Sequence, residues 1–188
     1  MAKNQDGVRV NGGFDGAVSV AAKGTTALPV DPAADLDVAF QEVGWLSSDG
    51  LTETFDRDST DLTAWQGGTV VRTIRTKDSR TFKFQAMESN AVVLGLLRPG
   101  STVSTVGDVT TTVVKPFAGQ DERVWVFDLV DGDIRTRKVV KKGQVTEVGD
   151  ITYSYEDATI YEFTVTVYPD SDGVLYREYT NDPAAELA

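Results

Sequence analysis

The 188-residue sequence contains no cysteine and no histidine. Without thiols there is no disulfide framework, no thiolate nucleophile and no zinc site of the Cys/His kind. Without imidazole there is no Ser-His-Asp triad, and much of ordinary enzymology goes with it. Long apolar runs are missing as well. No stretch approaches the roughly 20 residues of a membrane-spanning helix, and Met1 to Gly7 lacks the apolar core of a secretion signal, so the expectation is synthesis and folding in a cytoplasm. Positive charge is in short supply. Eighteen Lys and Arg face 29 Asp and Glu, a net formal charge of 18 − 29 = −11, which opposes non-specific binding to nucleic-acid phosphates.

What is present is mostly β-signal. The length suits one domain that buries about 70% of its unfolded surface. In Thr81 to Gly100 the hydrophobic period changes in mid-run. Phe82, Phe84 and Ala86 alternate with Lys83 and Gln85, as in a half-buried strand. Ser89 or Asn90 can then cap a short helix whose residues Ala91 to Leu97 are apolar nearly all round, with Arg98-Pro99-Gly100 as the stop. Elsewhere, turn residues separate short alternating runs. Asp49-Gly50 predicts a hairpin between Phe40–Leu46 and Leu51–Phe55, and Lys77 to Arg80 predicts a second between Thr69–Thr76 and Thr81–Glu88. Gly107-Asp108 and Asp131-Gly132-Asp133 predict two more, joining 102–106 to 109–115 and 124–130 to 134–140. Further strands are expected at Ala17–Ala22, Ile151–Tyr155 and Tyr161–Val167, with a closing pair ending near Tyr179. The fold class is therefore mainly β, an antiparallel β-sandwich or barrel with one short flanking α-helix. Residues 1–15 read as a flexible N-terminal arm, 16–180 as the β-domain and 181–188 as a flexible C-terminal tail.

One strand is apolar on both faces. In Val124 to Val130 this means either a central place in a two-sided sandwich or burial against a neighbouring subunit. Asp56, Asp58 and Asp61 have a spacing reminiscent of a calcium loop, but the central glycine is missing and Gly67 stands where the bidentate glutamate belongs. A solvated loop is the better reading. Glu156 and Glu162 could serve a glycosidase in principle. With 29 acids in the chain nothing singles out that pair, and no enzyme, metal or cofactor is expected. Trp45, Trp65 and Trp125 sit in or beside predicted strands, where core packing or an interface is the safer assignment than a sugar platform.

Three blocks taken together resemble a known family. Val43 to Glu53, then Leu62-Thr63-Ala64-Trp65-Gln66-Gly67-Gly68, then the strand leading through Glu88-Ser89-Asn90 into the apolar helix are similar to the major tail tube protein of long, non-contractile-tailed (siphovirus-type) bacteriophages, especially those of actinobacteria. The resemblance covers about Ala17 to Tyr176. It implies a non-enzymatic virion protein, assembled in the bacterial cytoplasm, whose hexameric rings stack into a tail tube. It also implies passage of double-stranded DNA without specific binding, and partners among the tail tip, tape measure and tail terminator proteins. In the family the termini and a long loop between strands bind adjacent rings. The matching positions here are 1–15, 47–68 and 181–188, with Asp49, Gly50, Asp56, Asp58, Asp61 and Trp65 as inter-ring candidates. Trp125, Phe127, Arg135, Arg137 and Lys138 are the inter-subunit candidates. A carbohydrate-binding or adhesin-like β-sandwich is the alternative from another class; a tail-tip, joining or secretion-system tube protein is the near one.

Overall fold

The computed structural model describes residues 8–12, 17–116 and 119–183. Among the described residues, ten strands and one helix follow in the order β1 (Val18–Ala22), β2 (Gln41–Glu42), β3 (Leu46–Thr63), β4 (Val70–Ala86), α1 (Ala91–Leu97), β5 (Thr102–Val106), β6 (Val109–Val113), β7 (Glu122–Asp131), β8 (Ile134–Val148), β9 (Tyr161–Val167) and β10 (Arg177–Thr180). Eight strands form an antiparallel sheet ordered β2-β1-β7-β8-β9-β4-β3, with β10 also against β8, while β5 and β6 form a separate hairpin. The mainly β, antiparallel fold with one short helix is thus the one the sequence implies.

The sheet folds over on itself. Although β4 and β7 are separated by two strands in the sheet order, Phe82 of β4 stacks on Phe127 of β7 with ring centroids 4.3 Å apart, and Phe84 lies 6.2 Å from Trp125. The long strand β8 makes this possible. One edge follows β7 while the other changes partner, from β10 at Thr136–Val139 to β9 at Gly143–Val148. Gly143 sits at the change, and a Cβ there would lie 2.7 Å from Trp125 Cδ1. Only glycine lets the indole cross the strand so closely.

Between the layers lies a core built from Val18, Val20, Phe82, Phe84, Trp125, Phe127, Phe163 and Val165, closed at one end by Val93 and Leu96 of the helix. The helix starts where expected. Asn90 Oδ1 accepts from Val93 N at 2.9 Å, and its amide donates to Val43 O at 2.8 Å, tying the cap to the chain before β3. The two-faced apolar strand is explained within the chain. Trp125 and Phe127 face the inter-layer core, whereas Val124 and Val126 face a second cluster with Ala21, Phe40 and Val139, packed under Leu28 and Leu36 of the segment 24–39. That Pro-containing segment crosses the sheet as a strap.

Several local expectations are overturned. Asp49-Gly50 is not a hairpin turn but an irregularity inside β3, where the register with β4 shifts between Leu46 and Leu51. Lys77 to Arg80 is likewise continuous strand, and the reversal falls at 64–69, where Gly67 and Gly68 have φ of 74° and 68° and Ala64 N donates to Thr69 O at 2.8 Å. Residues 151–155 form no strand. Ile151 packs on the core while Tyr153 and Tyr155 are exposed. The final two strands do not pair with each other, since β10 joins β8.

The expected arm 1–15 and tail 181–188 lie partly outside the described residues. Where described, they meet: Arg9 bonds Asp182 through Nη2 and Nε at 2.6 and 2.9 Å, and Gly12 bridges Val130.

Asp170 organises the turn before β10. Its carboxylate accepts from Val174 N and Asp172 N and pairs with Arg177 and Lys141. The Val174 amide above all, then Arg177, the Asp172 amide and Lys141, hold its pKa well below the usual carboxylate range against the opposing effect of burial. A depressed folded pKa stabilises the fold above the unfolded value, about 3.9, and that contribution is lost as pH falls below it. Acid titration followed by amide exchange at 170–180 should show this turn loosening as pH falls below 4. Asp170→Asn should flatten the effect, and an unchanged profile in that variant would assign the acid sensitivity elsewhere.

Candidate functional site

The most unusual part of the molecule is the distal half of the β3–β4 hairpin. From Phe55 to Asp78 every residue is exposed except partly covered Ala64, and neither face of the two-stranded ribbon packs on the body. Nine residues of β3 from Phe55 at roughly 3.3 Å each give a projection of about 30 Å. A two-stranded hairpin is marginally stable in water by itself. This one also displays apolar side chains: Leu62, Val70, Val71 and Ile74 are 45–66% exposed, and Trp65 at the tip is 99% exposed. Apolar side chains on a ribbon that projects from the body are left without cover by their own chain.

The arm is laced by charge. Lys77 pairs with Asp56, a hydrogen bond and charge that raise the lysine pKa. Across the ribbon, Arg57 reaches Asp78 at 3.7 Å. Arg80 bonds Asp78 and lies 4.3 Å from the centroid of the Phe55 ring, closing the boundary between arm and body. These pairs brace the base of the arm, and beyond them the two strands are held by their own ladder, which leaves the tip presented to the surroundings.

Its root is anchored more deeply. Glu53 accepts from Tyr176 Oη at 2.9 Å and from Lys138 Nζ, and Lys138 also lies 3.4 Å from Glu178. Burial pulls the lysine pKa down, but the Glu53 carboxylate outweighs it and the net shift is upward. Burial, reinforced by the same carboxylate, raises the Tyr176 phenol. On the other flank Glu88 accepts from Trp45 N at 2.8 Å and from the Asn90 amide at 3.3 Å. Gly44, with φ of 93°, leaves room for that carboxylate: a Cβ would fall 2.4 Å from it. A second projecting hairpin, β5–β6, exposes Val103, Val106, Val109 and Val113.

The site candidates divide clearly. Asp56, Asp58, Asp61 and Trp65 lie together on the arm, with Asp49 and Gly50 at the irregularity near its root. Trp125 and Phe127 are fully enclosed in the chain's own core and offer no surface to a neighbour. Arg137 is also internal. It forms a bidentate pair with Asp128, at 2.7 and 3.0 Å, and donates to Asp31 O and Ala34 O, fixing the strap. Lys138 serves the arm root, so Arg135 is the one exposed member of that group. The root contacts of Glu53, Glu88 and Tyr176 escaped sequence reasoning, because their partners lie 43 to 123 residues away in the chain.

Among the described residues no group of three or more Asp or Glu is placed to hold a metal ion. Glu162 accepts from Gln85 and pairs with Lys83, which keep its pKa low. Glu156 is exposed on a loop. Trp45 and Trp65 stand at opposite ends of β3 rather than side by side as a sugar platform would require.

A family model described as phage tail tube protein matches residues 1–188. The chain belongs to the phage tail tube protein family. Among solved structures this tail tube protein is similar, at 12% identity and a TM-score of 0.43, to a chain from the virion of a native gene transfer agent particle, with 91% of this chain and 100% of that one covered. It is also similar to a chain from the tail of an empty gene transfer agent particle, determined with helical refinement and C6 symmetry, at 12% identity, a TM-score of 0.36 and coverage of 88% and 93%. No curated protein matches. A tail tube protein is a structural component of the virion tail, and among the described residues the arm and the β5–β6 hairpin are parts of this one that its own body does not cover.

Proposed function

We propose that copies of this chain assemble into hexameric rings that stack as the tube of a long, non-contractile phage tail, and that the genome leaves the particle through the channel. The observation that carries this reading is the arm: a ribbon about 30 Å long, with open edges and exposed Leu62, Ile74 and Trp65, that its own chain leaves unsatisfied. Copies supply what is missing. Closing sheets between subunits removes edges that would otherwise aggregate at random. Residues 16–180 are the body in this reading, and the segments 1–15, 47–68 and 181–188 reach adjacent rings. The tail tip, tape measure and terminator proteins are the natural partners of such a tube, and the motifs between Phe40 and Leu97 favour a phage of an actinobacterial host.

Charge supports the conduit. Six copies carry a formal 6 × (−11) = −66, and a carboxylate-rich wall repels phosphates so that duplex DNA passes without adhering. Electron microscopy of the concentrated full-length chain should show sixfold rings or tubes that do not retain duplex DNA at physiological salt. A chain with 57–76 replaced by a short turn should remain a folded monomer. Monomers alone for the full-length protein, even when seeded with tail-tip material, would refute the tube reading, whereas a DNA-retaining tube would refute the inert channel.

A further inference from the structure

The two strands of the arm differ in sign. From Phe55 to Thr63, β3 carries Asp56, Asp58 and Asp61 against Arg57, a net of 1 − 3 = −2. From Val70 to Ser79, β4 carries Arg72, Arg75 and Lys77 against Asp78, a net of 3 − 1 = +2. Both strands have an open edge. Pairing of β3 is with β4 alone, and β4 meets β9 only over Arg80–Ala86, so among the described residues Val70–Ser79 has no strand on its far side. Part of the charge is spent within the ribbon, on the Asp56–Lys77 and Arg57–Asp78 pairs. Part is left over. Among the described residues Arg72 has no ion-pair partner, Asp58 acts on Lys77 across the ribbon only through its charge, Asp61 takes only the Thr73 hydroxyl, and Arg75 reaches Asp78 at 3.9 Å.

A second copy can add to such a ribbon in three ways. Pairing β3 with β3, or β4 with β4, is two-fold symmetric and sets like charges opposite each other across the new ladder. Pairing β3 with β4 sets opposite charges together. We infer that the arm joins a second copy head to tail, the acidic β3 edge of one arm against the basic β4 edge of the next, and that the split charge rejects the two-fold alternatives. The consequence is the geometry of growth. A two-fold contact consumes the same surface on both partners and stops at a dimer, whereas a head-to-tail contact leaves one edge of each kind free and repeats until it closes as a ring or runs on as a filament. Leu62, Val70 and Ile74, exposed on the free ribbon, then gain cross-strand neighbours from the next arm on the same face of the extended sheet. This inference rests on the polymer reading above and adds to it the rule that selects the mating edges.

The test uses full-length chains with reversed arm charge, Asp58→Lys/Asp61→Lys and Arg72→Glu/Arg75→Glu, with circular dichroism and thermal melting to show that each folds as the parent does. Sedimentation and electron microscopy then give the concentration needed for assembly. Each variant alone presents two edges of one sign and should need about tenfold more protein or fail to assemble. An equimolar mixture restores opposite signs at every junction and should assemble near the parental concentration, as should the chain carrying all four reversals. The four-fold variant also keeps the proposal testable if a double variant melts early. Parental assembly by either double variant alone, or a mixture no better than its components, would overturn the edge assignment while leaving the tube intact. A parental chain that stays monomeric at every concentration would overturn both.

Discussion

Phe82→Ala should cost about 3–5 kcal/mol of folding stability, a large fraction of the total for a domain of this size. Phe82 is fully buried where the folded-over sheet meets itself, stacked on Phe127 at 4.3 Å and edge-on to Tyr176 at 5.9 Å. Truncation removes an aromatic ring shared by β4, β7 and the segment before β10. The strands around it are hydrogen-bonded on both sides and cannot collapse into the gap, so the cavity cost adds to the lost transfer energy. A urea titration should show the midpoint falling with little change in slope. Trp65→Ala supplies the contrast, because a side chain 99% exposed in the single chain should change monomer stability by no more than about 0.5 kcal/mol. A loss below about 1 kcal/mol for Phe82→Ala would mean that the two halves of the sheet are not closed at this contact.

Arg137→Met should be comparably damaging, at about 3–5 kcal/mol, for an electrostatic reason. The guanidinium side chain is 7% exposed and its Asp128 partner 19%. Removing the arginine leaves a largely desolvated carboxylate without its bidentate partner and frees the carbonyls of Asp31 and Ala34. The strap should then lift. Limited proteolysis ought to show faster cutting within 24–39, with the second core under Leu28 and Leu36 exposed. Arg137→Met combined with Asp128→Leu removes both charges and should recover much of the loss, because most of the penalty lies in the orphaned carboxylate. Equal instability of the single and double variants would assign the effect to packing instead.

These two residues also show what the sequence reveals about such a fold. Phe82 alternates with polar neighbours, so its inward orientation is legible from the period alone. Arg137 alternates as well, but nothing local says whether it meets a carboxylate of its own chain or of a neighbour. Its aspartate is nine residues away and the carbonyls it binds are more than a hundred away. The same limit explains the arm. Residues 55–63 are wet on both faces and carry no hydrophobic alternation, so the strand signal disappears in the outgoing strand of the arm, whereas Thr69–Thr76 of the returning strand is legible. Asp49-Gly50 and Lys77 to Arg80 have local turn chemistry, but continuous pairing along the long hairpin holds both segments extended.

The sequence by itself determined the exclusions that follow from lacking cysteine and histidine, the antiparallel β character, the capped helix at Ala91–Leu97, and the hairpins β5–β6 and β7–β8, whose turns are short enough for neighbouring residues to dictate. It also held the ordered motifs between Phe40 and Leu97 that resemble a tail tube protein. Only the tertiary structure decided that β3 and β4 run out together as an arm, that Trp125 and Phe127 are enclosed by their own chain, and that Arg137 and Lys138 serve the strap and the arm root. The physical reason is that local conformation depends on neighbours along the chain, whereas pairing, burial and charge partners depend on register between segments far apart in it.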